Sequence, residues 1–282
     1  MDYRFESTPI TDHLTRIRCA AGECAYLAVG AQRAALIDTG TGVGDLRSFV
    51  ESLTNRPLEV YITHGHLDHV QGVAQFDRYY VSPKDRFLLP ETSMADRLAY
   101  IRSMAAPAEN PALAGIGAED LQPSAAEAGC LDLADGETVS LGDYELEFHA
   151  LPGHTPGSLT VLFPRDRLLL TGDAACGATL LSFPYCESVE QYRENLLLFK
   201  DKLAGRYDRI LVSHGRRVFE PDLIDCLIET CEDVLRGVNQ ETPQIGPDGR
   251  VAFAAYEMDF LHGRHDGKPG NIVYTHRNIR RA

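Results

Sequence analysis

Thr63-His64-Gly65-His66-Leu67-Asp68-His69 packs three imidazoles and one carboxylate into a single short stretch. The apolar run before it, Leu58–Thr63, reads as a buried strand, and the residues after it, roughly His69–Phe76, read as a helix. The motif therefore sits on a strand-to-helix loop, where α/β folds place ligands. Imidazole nitrogen and carboxylate oxygen suit zinc, iron or manganese. A separation of two residues lets His64 and His66 converge on one ion, and Asp68 and His69, at the helix start, can turn toward a second. The plain alternative is a polar turn that happens to be rich in histidine.

Working outward, three more strand ends carry ligand-type side chains. His154 lies in Leu151-Pro152-Gly153-His154-Thr155-Pro156-Gly157-Ser158, Asp173 closes Leu170-Thr171-Gly172-Asp173, and His214 closes Leu211-Val212-Ser213-His214. One strand-end histidine is usually incidental. Four such loops in order argue for a single polar edge.

Short β-type runs alternate with helical patterns, which indicates a layered α/β fold. Ala25–Val29 and Ala34–Asp38 read as a hairpin, and a helix carrying Leu46, Phe49, Val50 and Leu53 follows. Tyr79–Val81 is a further strand. Strands resume at Glu137–Leu141, Tyr144–Leu151, Ser158–Phe163, Arg167–Thr171 and Arg209–Ser213. Helices are expected over Val189–Leu203, with one apolar stripe, and near 221–237. Val251–Tyr256 and Asn271–Thr275 are strand candidates in the tail. Residues 84–130, broken by four prolines, read as an inserted helical segment too short for its own core.

The chain has 282 residues, of which 44% are hydrophobic and 24% charged, so it can bury a sizeable core and is not broadly disordered. With 27 Lys and Arg against 41 Asp and Glu, the net charge is −14. That disfavours phosphate backbones and anionic membranes as partners and leaves a small molecule as the expected one. No apolar run reaches the length of a membrane-spanning helix. The N-terminus lacks a basic-then-apolar leader pattern, and the seven cysteines form no CxxC pair. Reduced thiols and a cytoplasmic location are the expectation.

The ordered set His64-x-His66-x-Asp68-His69, His154, Asp173 and His214, with the early Asp38-Thr39-Gly40, resembles the metallo-β-lactamase superfamily from about residue 25 to 220. The resemblance implies an α/β fold, a four-layer αββα sandwich with a helical insertion. The whole chain, 1–282, would be one such domain, with 84–130 inserted and 221–282 forming a C-terminal helix and hairpin-like extension. It implies two divalent metal ions, zinc first, with iron or manganese next. His64, His66 and His154 would hold the first ion, Asp68, His69 and His214 the second, and Asp173 would bridge them. A bridging aspartate resembles the glyoxalase II-like branch rather than the secreted β-lactamases.

The implied activity is a hydrolase that uses a metal-bridged hydroxide on a small thioester, ester or lactone, with Asp68 and Asp173 at the reacting centre. An iron-dependent persulfide dioxygenase-like oxidoreductase and a phosphodiesterase are the alternatives, the latter disfavoured by the net charge. Lactonases of this superfamily carry a tyrosine near the position of Tyr185 that donates to the carbonyl oxygen, although a packed or surface tyrosine is the plainer reading. Asp38 is a candidate for holding a ligand histidine in one tautomer. Cys176 reads as a small buried residue. His262, His265 and Asp266 read as a solvated turn, and His149 as an ordinary strand histidine. His13 and His276 show no partner in the sequence. The insertion could serve as a lid over an acyl chain or simply pack. A homo-oligomer is compatible with all of this.

Overall fold

The structure is a computed structural model that describes residues 5–89, 92–104, 113, 115–125, 129–245, 250–259 and 263–281. It divides into two compact units, Met1–Glu147 and Phe148–Ala282.

The first unit holds a seven-stranded sheet with its strands in sequence order: β1 (Glu6–Pro9), β2 (Leu14–Arg18), β3 (Cys24–Val29), β4 (Ala34–Ile37), β5 (Leu58–Tyr61), β6 (Tyr79–Val81) and β7 (Cys130–Asp132). β1 to β4 pair antiparallel, whereas β4, β5, β6 and β7 run parallel. Parallel neighbours need crossovers. The helix α1 (Leu46–Leu53) supplies the first, the histidine-rich segment with α2 (Leu67–Val70) the second, and the insertion with α3 (Met94–Met104) the third. The ends of β4, β5 and β6 therefore open on the same side. The side chains that follow them are Asp38, the histidine motif and Asp85.

Alternating residues of these strands and the inner faces of α1 and α2 form the core, with Leu36, Val50, Val60, Val70 and Val81 fully buried. A small satellite cluster of Val43, Ile101, Leu113, Ile116 and Leu121 packs the insertion down. β8 (Thr138–Ser140) pairs antiparallel with the start of β9 (Glu145–Ala150).

In the second unit the end of β9 lies beside β10 (Leu159–Phe163), then β11 (Leu168–Leu170) and β13 (Arg209–Leu211). β10 and β11 are antiparallel, and β11 and β13 parallel. A smaller sheet runs β12 (Thr179–Leu181), β18 (Ile272–Tyr274), β15 (Val251–Ala254), β14 (Thr242–Ile245), and β16 (Met258–Asp259) pairs with β17 (Gly263–Arg264). The helix α4 (Val189–Lys202) starts where the Ser188 hydroxyl accepts from the Gln191 amide, and it buries the expected stripe of Val189, Tyr192, Leu196 and Phe199. The helix α5 (Asp222–Arg236) ends at Gly237, whose φ of 68° makes a left-handed stop. No helix among the described residues is long and apolar enough to cross a membrane.

The long helix expected over 69–76 is not formed. α2 is one turn, and a separate 3-10 turn covers Val73–Gln75. Gly72 lies against the 38–44 loop so closely that a Cβ would come within 2.3 Å of the Thr39 carbonyl oxygen. The Gln71 amide is shared between Leu67 O (3.3 Å) and Gly40 O (3.1 Å). Tertiary bonding to the loop thus outcompetes helix propagation. Residues 221–282 comprise α5 and β14 to β18, and β14, β15 and β18 share a sheet with β12.

Candidate metal centre

The register of β4 on β5, Ile37 opposite Tyr61, brings Asp38 beside the start of the motif. Asp38 is 1% exposed and has a φ of 62°, a left-handed conformation that aspartate tolerates better than most residues. Its Oδ1 accepts from the Thr63 amide (2.8 Å) and its Oδ2 from His69 Nδ1 (2.8 Å). The Thr63 hydroxyl donates to Asp38 Oδ2 at 2.8 Å and lies 3.2 Å from His64 Nδ1. A hydroxyl has one proton, and here the carboxylate takes it. His64 Nδ1 is therefore the donor to Thr63, and the lone pair of His64 sits on Nε2. The same reasoning puts the lone pair of His69 on Nε2. One carboxylate thus sets two ring tautomers, the arrangement that metal-binding histidines require. Asp38 thus holds the His69 ring directly and the His64 ring through Thr63.

His66 occupies the position before α2 with extended backbone and makes no side-chain cap there. Its Nδ1 lies 3.2 Å from His64 Nε2 instead. Gly65, between the two, leaves no room for a Cβ, which would meet the Asp85 carbonyl and Leu88 Cβ at 2.9 Å. The Gly65 amide donates to buried Asp85 at 3.0 Å, so the 3-10 turn that follows β6 (Pro83–Leu88) ties the loop down. Asp68 Oδ2 lies 3.6 Å from His69 Nε2 and accepts a hydrogen bond from the Tyr100 hydroxyl. Glu23 is buried and accepts from the Thr41 amide and hydroxyl, and burial raises its carboxyl pKa.

The second unit builds its donors in the same way. β11 and β13 are parallel with Leu170 opposite Leu211, so Asp173 and His214 leave the sheet at the same end. Gly172 and Gly215 take positive φ at those exits. His214 Nε2 lies 3.2 Å from Asp173 Oδ2, and His154 Nε2 lies 3.9 Å from the same oxygen. His154 Nδ1 donates to the Leu180 carbonyl at 2.7 Å, which leaves its Nε2 as the lone-pair nitrogen.

The donor chemistry fits divalent ions. Two ligands at about 2.0–2.2 Å from one ion, at angles between about 90° and 120°, must lie roughly 2.9–3.8 Å apart. The spacings His64–His66 (3.2 Å), Asp68–His69 (3.6 Å) and Asp173–His214 (3.2 Å) fall in that range, and His154–Asp173 (3.9 Å) lies just beyond it. Without a cation or proton between them, the converging nitrogens of His64 and His66 would repel.

Tyr185 stacks on Phe183 (5.5 Å, 4°), and Phe183 stands edge-on to His154 at 6.1 Å. Cys176 packs against the core, and burial, followed by the charge of Asp173, pushes its thiol up to about 11, so it is not a ready nucleophile. His149 is a buried strand histidine. His13 stacks on Tyr144, and His276 pairs with Glu241 and stacks on Phe253, so both have partners that the sequence did not reveal. His265 faces Glu257 in an exposed pair, and Asp266 pairs with Arg264 rather than with a histidine. His262 lies outside the described residues. Thr63, Asp85 and Tyr100 support the motif and were not read from the sequence. Thr63 alone carried a signal, because a hydroxyl directly before the first histidine can serve its ring.

A family model described as the metallo-beta-lactamase superfamily matches residues 24–214. The acyl-coenzyme A thioesterase MBLAC2 of Homo sapiens is 25% identical over 207 residues, which is 67% of this chain and 71% of that protein. Among solved structures, a metallo-beta-lactamase from Pontibacter korlensis superposes with a TM-score of 0.57 at 17% identity, covering 80% of this chain and 98% of that one. A superfamily protein from Sulfolobus tokodaii gives 0.53 at 19% identity, covering 79% and 87%.

Proposed function

The chain belongs to the metallo-β-lactamase superfamily and has its fold, and on that footing we propose that it is a metal-dependent hydrolase of thioesters. The observation that carries the reading is the completeness of the donor set, with the ring tautomers of His64, His69 and His154 already fixed for ligation. His64, His66 and His154 would hold one ion and Asp68, His69, Asp173 and His214 the other, with Asp173 serving both as the superfamily resemblance implies. Zinc is the first candidate and iron or manganese the next. Two such ions, when bound, lower the pKa of water far below its bulk value toward about 7, which makes hydroxide available at neutral pH.

The chain's own groups do the rest. Asp38 and Thr63 keep His64 and His69 in the ligating tautomer, so no proton has to be shed there. Asp68 orients the attacking water. Tyr185, held flat on Phe183 two rings from His154, donates to the carbonyl oxygen of the substrate.

The thioester class is favoured within the broader set of thioesters, esters and lactones because the human relative is an acyl-coenzyme A thioesterase. An anionic thioester must approach a chain of net charge −14. Arg216 and Arg217, directly after His214-Gly215, supply local positive charge for it.

The test is a panel of acyl-CoA thioesters, simple esters, lactones and phosphodiesters assayed on the purified protein. Thioester turnover is expected, abolished by chelation and restored by zinc, iron or manganese. Turnover of phosphodiesters alone, or thioester turnover indifferent to chelation, would contradict the reading.

A further inference from the structure

The insertion carries a side chain into the metal-binding segment. The Ser93 hydroxyl accepts from the Asp96 amide (3.1 Å) and donates to the Asp96 carboxylate (2.6 Å), which fixes where α3 begins. Arg97, Tyr100 and Ile101 then fall on one face of the helix. Arg97 is fully buried, and its guanidinium donates to the Thr41 carbonyl (3.1 Å) and the Gln122 carbonyl (2.7 Å). Ile101 is buried in the satellite cluster with Val43 and Leu121. Two anchors flanking Tyr100 therefore hold the helix in place without help from Asp68. From that fixed position the Tyr100 hydroxyl donates to Asp68 Oδ2 at 2.5 Å, the length of a charge-assisted bond.

We propose that Tyr100 is a positioning residue for the second metal ion, and that α3 places it. The inference rests on the dinuclear reading above. Its hydrogen bond fixes the rotation of the Asp68 carboxylate, whose Oδ2 lies 3.6 Å from His69 Nε2. Asp68 is thereby presented in one orientation before an ion arrives. Supporting bonds of this kind typically govern metal affinity by 10- to 100-fold. The helix α3 then acts as a brace on the site.

The test is a zinc titration of the metal-free protein against a competing chelator, on the wild type, Tyr100→Phe and Met104→Ala. Phenylalanine fills the same volume and removes only the hydroxyl. Met104 lies one turn further on the same helix and is 40% exposed, so its truncation reports any general loosening of α3. Thermal unfolding of each metal-free protein serves as the control for folding.

The expected result is two tight ions in the wild type and in Met104→Ala. Tyr100→Phe should keep one tight ion, bind the other about 10- to 100-fold more weakly, and melt as the wild type does without metal. Equal affinity for both ions in Tyr100→Phe overturns the inference and leaves the dinuclear reading intact. The same loss in Met104→Ala overturns it too, because helix packing would then be the cause. A wild type that binds no zinc overturns both.

Discussion

Asp38→Ala should be the most damaging substitution in the first unit, lowering both the stability of the metal-free protein and its hold on metal. The change strands three buried donors, the Thr63 amide, the Thr63 hydroxyl and His69 Nδ1. Each orphaned group costs about 1–3 kcal/mol, less whatever the site can relax. Alanine at a φ of 62° adds about 1–2 kcal/mol of backbone strain that aspartate bears more easily. A net loss of about 3–5 kcal/mol follows, a large part of an ordinary domain's stability.

Asp38→Asn separates the two effects. Asparagine tolerates the left-handed backbone and keeps one acceptor oxygen, but its amide points hydrogens at groups that are themselves donors. It should fold, lose less stability than the alanine variant, and still bind metal about 10- to 100-fold more weakly, because His69 and His64 are no longer held in one tautomer. Chemical denaturation of the metal-free variants measures the first effect and metal competition the second. Asparagine at wild-type metal affinity would show that Asp38 is only a turn residue.

Gly153→Ala should be nearly as severe in the second unit, through overpacking. A Cβ at residue 153 would lie 2.2 Å from Tyr192 Cδ2. The ring cannot yield easily, since Tyr192 is fully buried on the inner face of α4 and its hydroxyl donates to the Ala174 carbonyl at 2.7 Å. Either the 152–154 backbone moves, carrying His154, or Tyr192 pulls on Ala174, next to Asp173. A stability loss of about 1–3 kcal/mol is expected, together with weakened metal binding. Tyr192→Leu in the same chain should recover part of the stability by making room. A Gly153→Ala protein with native melting and native metal content would show that the loop has slack the packing does not reveal.

The elements that position the site were legible where chemistry and periodicity coincide. The motif at 63–69 announces itself because four ligand-type side chains in one short segment have few other uses. The stripe on α4 follows from residues three and four apart, and the structure buries it as read. What stayed hidden depends on pairing partners distant in sequence. β1 and β2 carry too many polar residues to stand out, and they become strands because β3 offers them an edge. The helix expected over 69–76 failed on Gly72, whose use is close approach to Thr39, a contact 33 residues away in the chain. Nothing in the sequence marks Tyr100. Only the folded insertion shows that its hydroxyl ends on Asp68.

Diffraction from the purified protein at the zinc, iron and manganese absorption edges decides whether the chain holds two metal ions. Two anomalous peaks per chain are expected, one bound by His64, His66 and His154, the other by Asp68, His69 and His214, with Asp173 touching both. A single peak, or peaks that leave His154, Asp173 and His214 without metal, would contradict this assignment.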